Sequence, residues 1–140
     1  MAGGKGTRLK PLTNIINKHL VPVYNKPMIF YSVSTLIYSG IKEILIICND
    51  GDEFFFRKTL YDVIKRNRIK ITYAVQKNTG GGIAEGLILA KSFIQKCNKI
   101  IFILGDNFFY GRLFHQLIKS YLNKKNKNST IFLSKVSNPK

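Results

Sequence analysis

The sequence is poor in acid. Its 140 residues hold 7 Asp and Glu against 23 Lys and Arg, a formal net charge of +16. An imbalance of that size marks either a binder of polyanions or a composition biased toward Lys, Asn and Ile. The basic residues are scattered apart from a Lys/Asn run at Asn123–Asn128, and no helical segment carries a clean basic stripe. Nucleic acid is therefore not the expected partner. It would call for basic and aromatic residues interleaved on one face. A polyanionic small molecule such as a nucleoside triphosphate suits the charge better.

Other absences narrow the class further. The two cysteines, Cys48 and Cys97, form neither a CxxC nor a metal-ligand spacing, so reduced thiols in a cytoplasmic protein are expected. No apolar run approaches the length of a membrane span, and no signal peptide precedes the glycines that start at residue 3, so neither membrane nor export is expected. A glycine-rich phosphate loop normally follows a strand that aims it. Here only Met1 and Ala2 precede the glycines, and the chain stops at Ser137–Lys140 directly after a strand-like segment. The expectation is one partial domain over residues 1–140, cut at both ends, with a gap at the sheet centre and poor solubility.

What is present alternates in type. An apolar stretch with helical spacing runs over Met28–Tyr38 and stops at Gly40. Glu43–Cys48 is a short continuous apolar run, a buried strand, followed by a turn at Asn49–Asp52. A helix is predicted over Phe54–Arg66, with Phe55, Thr59, Val63 and their neighbours able to form one inner face, and a strand over Lys70–Val75. After a flexible break at Gly80–Gly82 come a helix over Ile83–Ile94, a buried strand over Lys99–Leu104, a helix over Arg112–Leu122 and a last strand over Thr130–Val136. Strand and helix in alternation make an α/β layered domain with a largely parallel sheet. Such sheets bind ligands beyond the carboxyl ends of their strands. Chemistry is thus expected in the loops Asn49–Glu53, Gln76–Gly82 and Gly105–Gly111.

The opening loop, Ala2–Pro11, is the strongest local signal. Gly3, Gly4 and Gly6 let the backbone turn sharply and bring N–H groups to a ligand without Cβ interference. Thr7 adds a hydroxyl, and Arg8 a guanidinium suited to phosphate oxygens. The loop has neither the P-loop nor the Rossmann glycine spacing. Glycines alone would equally make an ordinary turn.

The continuation adds Pro11 and Thr13, then Lys18-x-Leu20-x-Pro22, then Lys26-Pro27-Met28-Ile29. Gln76 ends one strand, Gly82-Ile83-Ala84-Glu85 opens a helix, and Leu104-Gly105-Asp106-Asn107 ends another strand. In this order and spacing the motifs resemble the sugar-nucleotide pyrophosphorylases. Gly105-Asp106-Asn107-x-Phe109-Tyr110-Gly111 is similar to the glucose-1-phosphate thymidylyltransferase branch. The resemblance covers essentially the whole chain.

It implies a Rossmann-like three-layer nucleotide-diphospho-sugar transferase fold, here with an incomplete, mostly parallel sheet. It implies nucleotidyl transfer from dTTP to glucose 1-phosphate, giving dTDP-glucose and pyrophosphate for dTDP-rhamnose and cell-surface polysaccharide. Gly3, Gly4, Gly6 and Thr7 would cradle the triphosphate, and Arg8 would hold the leaving pyrophosphate. Lys18 would bridge the reacting phosphates, Gln76 and Gly82 would meet the base, and Asp106 would bind Mg²⁺. Full-length relatives are expected to be homo-oligomers and to carry a second metal aspartate further along.

Two departures leave alternatives open. The segment from Lys77 to Gly81 is about one residue longer than that branch's pattern, and Glu85 stands where glutamine is common, so UTP competes with dTTP as substrate. A non-catalytic remnant with some nucleotide affinity is the rival to an enzyme. Lys26 before Pro27 equally reads as a helix start, and Asp106 as a turn-forming aspartate. Asp50, Asp52 and Glu53 read as a solvated turn and helix start, and Phe54–Phe56 as packing residues. His19 and His115 have no visible catalytic partner.

Overall fold

A computed structural model describes residues 1–77, 82–109, 111, 113–125 and 129–132. The Gly80–Gly82 break, the start of the helix at Arg112 and the strand over Thr130–Val136 lie wholly or partly outside these residues.

The chain opens with three single turns of 3₁₀ helix, Thr7–Leu9, Leu12–Asn14 and Lys18–Leu20. A small antiparallel pair follows, β1 (Pro22–Val23) with β2 (Lys26–Pro27). Helix α1 (Ile29–Tyr38) buries Ile29, Ser32, Val33 and Leu36, the i, i+3, i+4, i+7 stripe that a helix lays on a core. Then come β3 (Glu43–Asn49), α2 (Glu53–Asn67), β4 (Lys70–Gln76), α3 (Gly82–Leu89), α4 (Lys91–Ile94) and α5 (Phe114–Asn123).

Strands β3 and β4 pair in parallel over seven residues, from Glu43 against Lys70 to Asn49 against Gln76. Side chains on both faces of β3 are buried, Ile44 and Ile46 on one and Ile47 on the other, which is why it reads as one apolar run rather than an alternation. Helix α2 seals one side with Phe56 and Leu60, both fully buried. The expected inner face of α2 is off by one position: Phe55 is exposed, and Phe56, Leu60, Val63 and Ile64 point inward. That register wins because it buries four apolar side chains, where a face through Phe55 and Thr59 leaves Leu60 and Ile64 outside. The helix expected over Ile83–Ile94 is interrupted at Ala90, where Phe93 N–H bonds Ala90 C=O with the tighter 3₁₀ spacing.

The strand expected over Lys99–Leu104 forms no ladder among the described residues. Its neighbour is Met1, whose amino group donates to Ile103 C=O at 2.7 Å and whose C=O accepts from Gly105 N–H at 2.7 Å. On the other side Ala2 N–H donates to Ile47 C=O at 2.7 Å, a single parallel bridge to Cys48. Two residues thus span the space between β3 and the 99–104 segment at one end only. A ladder needs a partner strand along its length. Past Met1 the two segments flank an apolar cavity of about 130 Å³ lined by Ile44, Ile47, Leu87, Ile101 and Ile103 among others.

Among the described residues, no helix is long and apolar enough to cross a membrane. Cys48 is buried, and desolvation pushes its thiol up to about 11, so it is an inert packing residue, while Cys97 is a half-buried free thiol.

Candidate functional site

The parallel register delivers Asn49 and Gln76 side by side at the carboxyl ends of β3 and β4. The Ala2 bridge to Cys48 then sets the glycine loop directly above them. Asn49 holds the loop with both halves of its amide. Its Oδ1 accepts from Gly4 N–H at 2.9 Å, and its Nδ2 donates to Gly4 C=O at 3.2 Å. Asp52 completes the brace, its Oδ2 accepting from Asn49 Nδ2 at 3.0 Å and from Asn17 Nδ2 at 2.6 Å. Asp52 is therefore not a solvated turn residue: it ties the start of α2 to the loop and to the turn that carries Lys18.

Steric contact fixes where each glycine lies. A Cβ on Gly3 would sit 2.9 Å from Gln76 Oε1, and one on Gly6 would sit 2.9 Å from Thr13 Cγ2 and 3.3 Å from Lys18 Cβ. Gly6 also has φ +58°, a left-handed conformation that suits glycine. The loop thus runs from the Gln76 amide at Gly3 to the Lys18 side chain at Gly6. Thr13 Oγ1 closes the turn by donating to Gly6 C=O at 2.8 Å.

At the Lys18 end the charges meet. Lys18 Nζ lies 2.6 Å from Asp106 Oδ2, and each side chain is about one-third exposed, 31% and 32%. The hydrogen bond from Lys18 holds the Asp106 carboxyl below the usual carboxylate range. His19 backs this pair. It is buried, and desolvation lowers its pKa to about 4, so the ring is neutral near pH 7. Asn17 Oδ1 faces His19 Nδ1 at 2.9 Å, and since Asn17 Nδ2 donates to Asp52, that oxygen is the acceptor and Nδ1 carries the proton. His19 is a packing residue beneath Gly105, where a Cβ would come within 2.6 Å of its ring.

The result is one open pocket of about 260 Å³. Its wall includes Gly3, Gly4, Gly6, Lys18, Gln76, Gly82 and Asp106, seven of the nine site residues expected from sequence. Thr7 and Arg8 are exposed on the turn after Gly6 and do not line it. Sequence reasoning singled out the Asn49–Glu53 loop but not Asn17, and it missed the bracing role of Asn17, Asn49 and Asp52. No chain motif marks them, because their role exists only once β3 and β4 are in register. Among the described residues, no three His, Cys, Asp or Glu side chains gather as a metal cage. Asp106 is a single ionised carboxylate at the pocket wall, a fit for a hard cation that takes its remaining oxygens from phosphates and water.

The nucleotidyl transferase family model matches residues 1–140. The chain belongs to this family. It is 41% identical to the glucose-1-phosphate thymidylyltransferase of Neisseria meningitidis over 99% of its own length and 47% of that relative. Against the glucose-1-phosphate thymidylyltransferase of Mycolicibacterium smegmatis it is 41% identical over 79% of its length and 38% of the relative. A crystal structure from Bacillus anthracis, assigned as a glucose-1-phosphate thymidylyltransferase and solved with sucrose, superposes with TM-score 0.77 at 35% identity. That match covers 89% of this chain and 49% of the other. A UDP-glucose pyrophosphorylase solved with UDP-glucose shares the fold, with TM-score 0.63 at 22% identity over 87% of this chain and 51% of that one. The chain therefore has the expected α/β fold with a parallel sheet, and it spans less than half the length of the curated relatives it matches.

Proposed function

We propose that this chain carries the nucleotide-binding half of a glucose-1-phosphate thymidylyltransferase. The observation behind the reading is the pocket itself, in which amides, an ammonium and a carboxylate are placed in order along one loop. The base lies at Gly3, Gln76 and Gly82. The triphosphate extends past Gly4 and Gly6 to Lys18, and Arg8, on the turn just beyond, takes the pyrophosphate end.

In the reaction, a phosphate oxygen of glucose 1-phosphate forms a bond to the α-phosphorus of dTTP. The bond from that phosphorus to the bridging oxygen breaks, and pyrophosphate carries away the electron pair. No covalent bond to the enzyme forms. Catalysis then depends on alignment and on cationic groups fixed in place before the charge moves. Lys18 supplies a positive charge at the phosphates, oriented by Asp106. Asp106 would also hold Mg²⁺, which when bound offsets charge on the phosphate oxygens. The product dTDP-glucose would feed dTDP-sugar synthesis, rhamnose included. UTP competes as donor, because Gln76 contacts a pyrimidine edge that uracil and thymine share.

Calorimetric titration of dTTP with magnesium tests the assignment. Wild type should bind, and Lys18→Ala and Arg8→Ala should bind at least about tenfold more weakly. Equal affinity in all three proteins removes the phosphate assignment. Catalysis is assayed separately, by release of pyrophosphate from dTTP and glucose 1-phosphate.

A further inference from the structure

We infer that Glu85 is a positioning residue that sets which half of the Gln76 amide faces the base, and so selects bases bearing an imino N–H. This rests on the nucleotide reading above and names a residue that does not itself touch the nucleotide.

A primary amide is two-faced: its oxygen accepts and its nitrogen donates, and a free glutamine can present either. Gln76 is not free. It ends β4 at 2% exposure, and its Nε2 lies 2.7 Å from Glu85 Oε2 and 3.5 Å from Gly82 C=O. An ionised carboxylate only accepts, so the NH₂ group must face Glu85. The carbonyl oxygen is then turned the other way, toward Gly3, where an added Cβ would come within 2.9 Å of Oε1. Both donor hydrogens are engaged on the α3 side, and the pocket side receives an acceptor alone.

That choice discriminates between pyrimidines. Uracil and thymine present N3–H, which donates to a fixed carbonyl oxygen. Cytosine presents an unprotonated N3, and its lone pair would meet another lone pair. An acceptor left unpaired or opposed in a buried site is costly. Glu85 reaches Gln76 from the first turn of α3, three residues after Gly82, and among the described residues it makes no other hydrogen bond or ion pair.

The test compares UTP with CTP, which share ribose and triphosphate and differ only in the base, by calorimetry on the 140-residue chain with magnesium. Wild type should prefer UTP by about tenfold or more. Glu85→Gln should keep the preference, because its own carbonyl can accept from Gln76. Glu85→Leu should bring the ratio close to one. Glu85→Lys offers only donors, draws Gln76 Oε1 toward itself, turns the NH₂ into the pocket, and should shift the preference to CTP. A UTP/CTP ratio unchanged in the Leu and Lys variants, or both nucleotides weakened equally, overturns the inference while leaving the nucleotide pocket standing. Wild type binding neither nucleotide overturns the pocket reading and this inference with it. The side-chain amide resonance of Gln76 gives a second readout without nucleotide: it should move in Glu85→Leu and stay in place in Glu85→Gln.

Discussion

The two ends of the pocket are built by different physics. At the end proposed for the base, Gly3, Gln76 and Glu85 are held by amide geometry, and Gln76 is almost wholly buried. At the end proposed for the phosphates, Gly6, Lys18 and Asp106 are organised by charge, with both ionic side chains about one-third exposed. A buried amide gives directional choice but little long-range attraction. A half-solvated ion pair gives attraction but little choice, and salt screens it. One loop of four residues therefore joins an element suited to selecting the base to one suited to gripping the tail.

Acid should break the phosphate end first, through the residue packed beneath it. His19 has a folded-state pKa of about 4 against an ordinary value of 6.5, so the unfolded chain binds the extra proton between those values. Stability is full above pH 6.5, falls as the pH drops toward 4, and is constant in this respect below that. The shift corresponds to a loss on the order of 3 kcal/mol. Urea midpoints across this range should fall with pH, and much less steeply in His19→Gln.

Next in size are substitutions that separate the two ends. Lys18→Ala should cost triphosphate binding roughly 2 kcal/mol, the worth of a hydrogen bond to a charged group. It should leave the UTP/CTP ratio intact and flatten the salt dependence of affinity. Gly3→Ala works at the other end. Its Cβ would press on Gln76 Oε1 and on Asn49 Oδ1, and overpacking of this kind costs about 1–3 kcal/mol. Base preference should suffer with stability, measured by the same titrations and by urea unfolding. A Gly3→Ala protein that changed only in salt dependence would erase the distinction between the ends.

Much of this site was legible in the sequence, for a definable reason. Gln76 ends β4 and Asp106 follows the strand-like 99–104 segment, positions that parallel sheets collect at one edge, while Gly3, Gly4 and Gly6 stand out by their glycine density alone. Lys18 was legible only through its resemblance to a family pattern. The bracing amides were not, because Asn49 meets Gly4, and Asn17 meets Asp52, only through a register that no local motif encodes. The α2 face was misjudged by one residue because Phe54, Phe55 and Phe56 are equally apolar, and only the packing decides among them. The 99–104 segment has strand composition but, among the described residues, no partner along its length, so composition alone misled there.

The smallest expected effect probes that brace. Asn49→Ala removes both bonds to Gly4 at an exposed position, and should cost about 1 kcal/mol of stability while weakening both nucleotides alike.

The central claim is that a single nucleotide occupies both ends at once. Titrating dTTP and magnesium into ¹⁵N-labelled protein tests it most directly. The backbone amides of Gly3, Gly4 and Gly6 and the side-chain amide of Gln76 should shift together along one saturable curve. Glycine shifts without movement of Gln76, or shifts spread over the scattered lysines without saturation, would contradict the account.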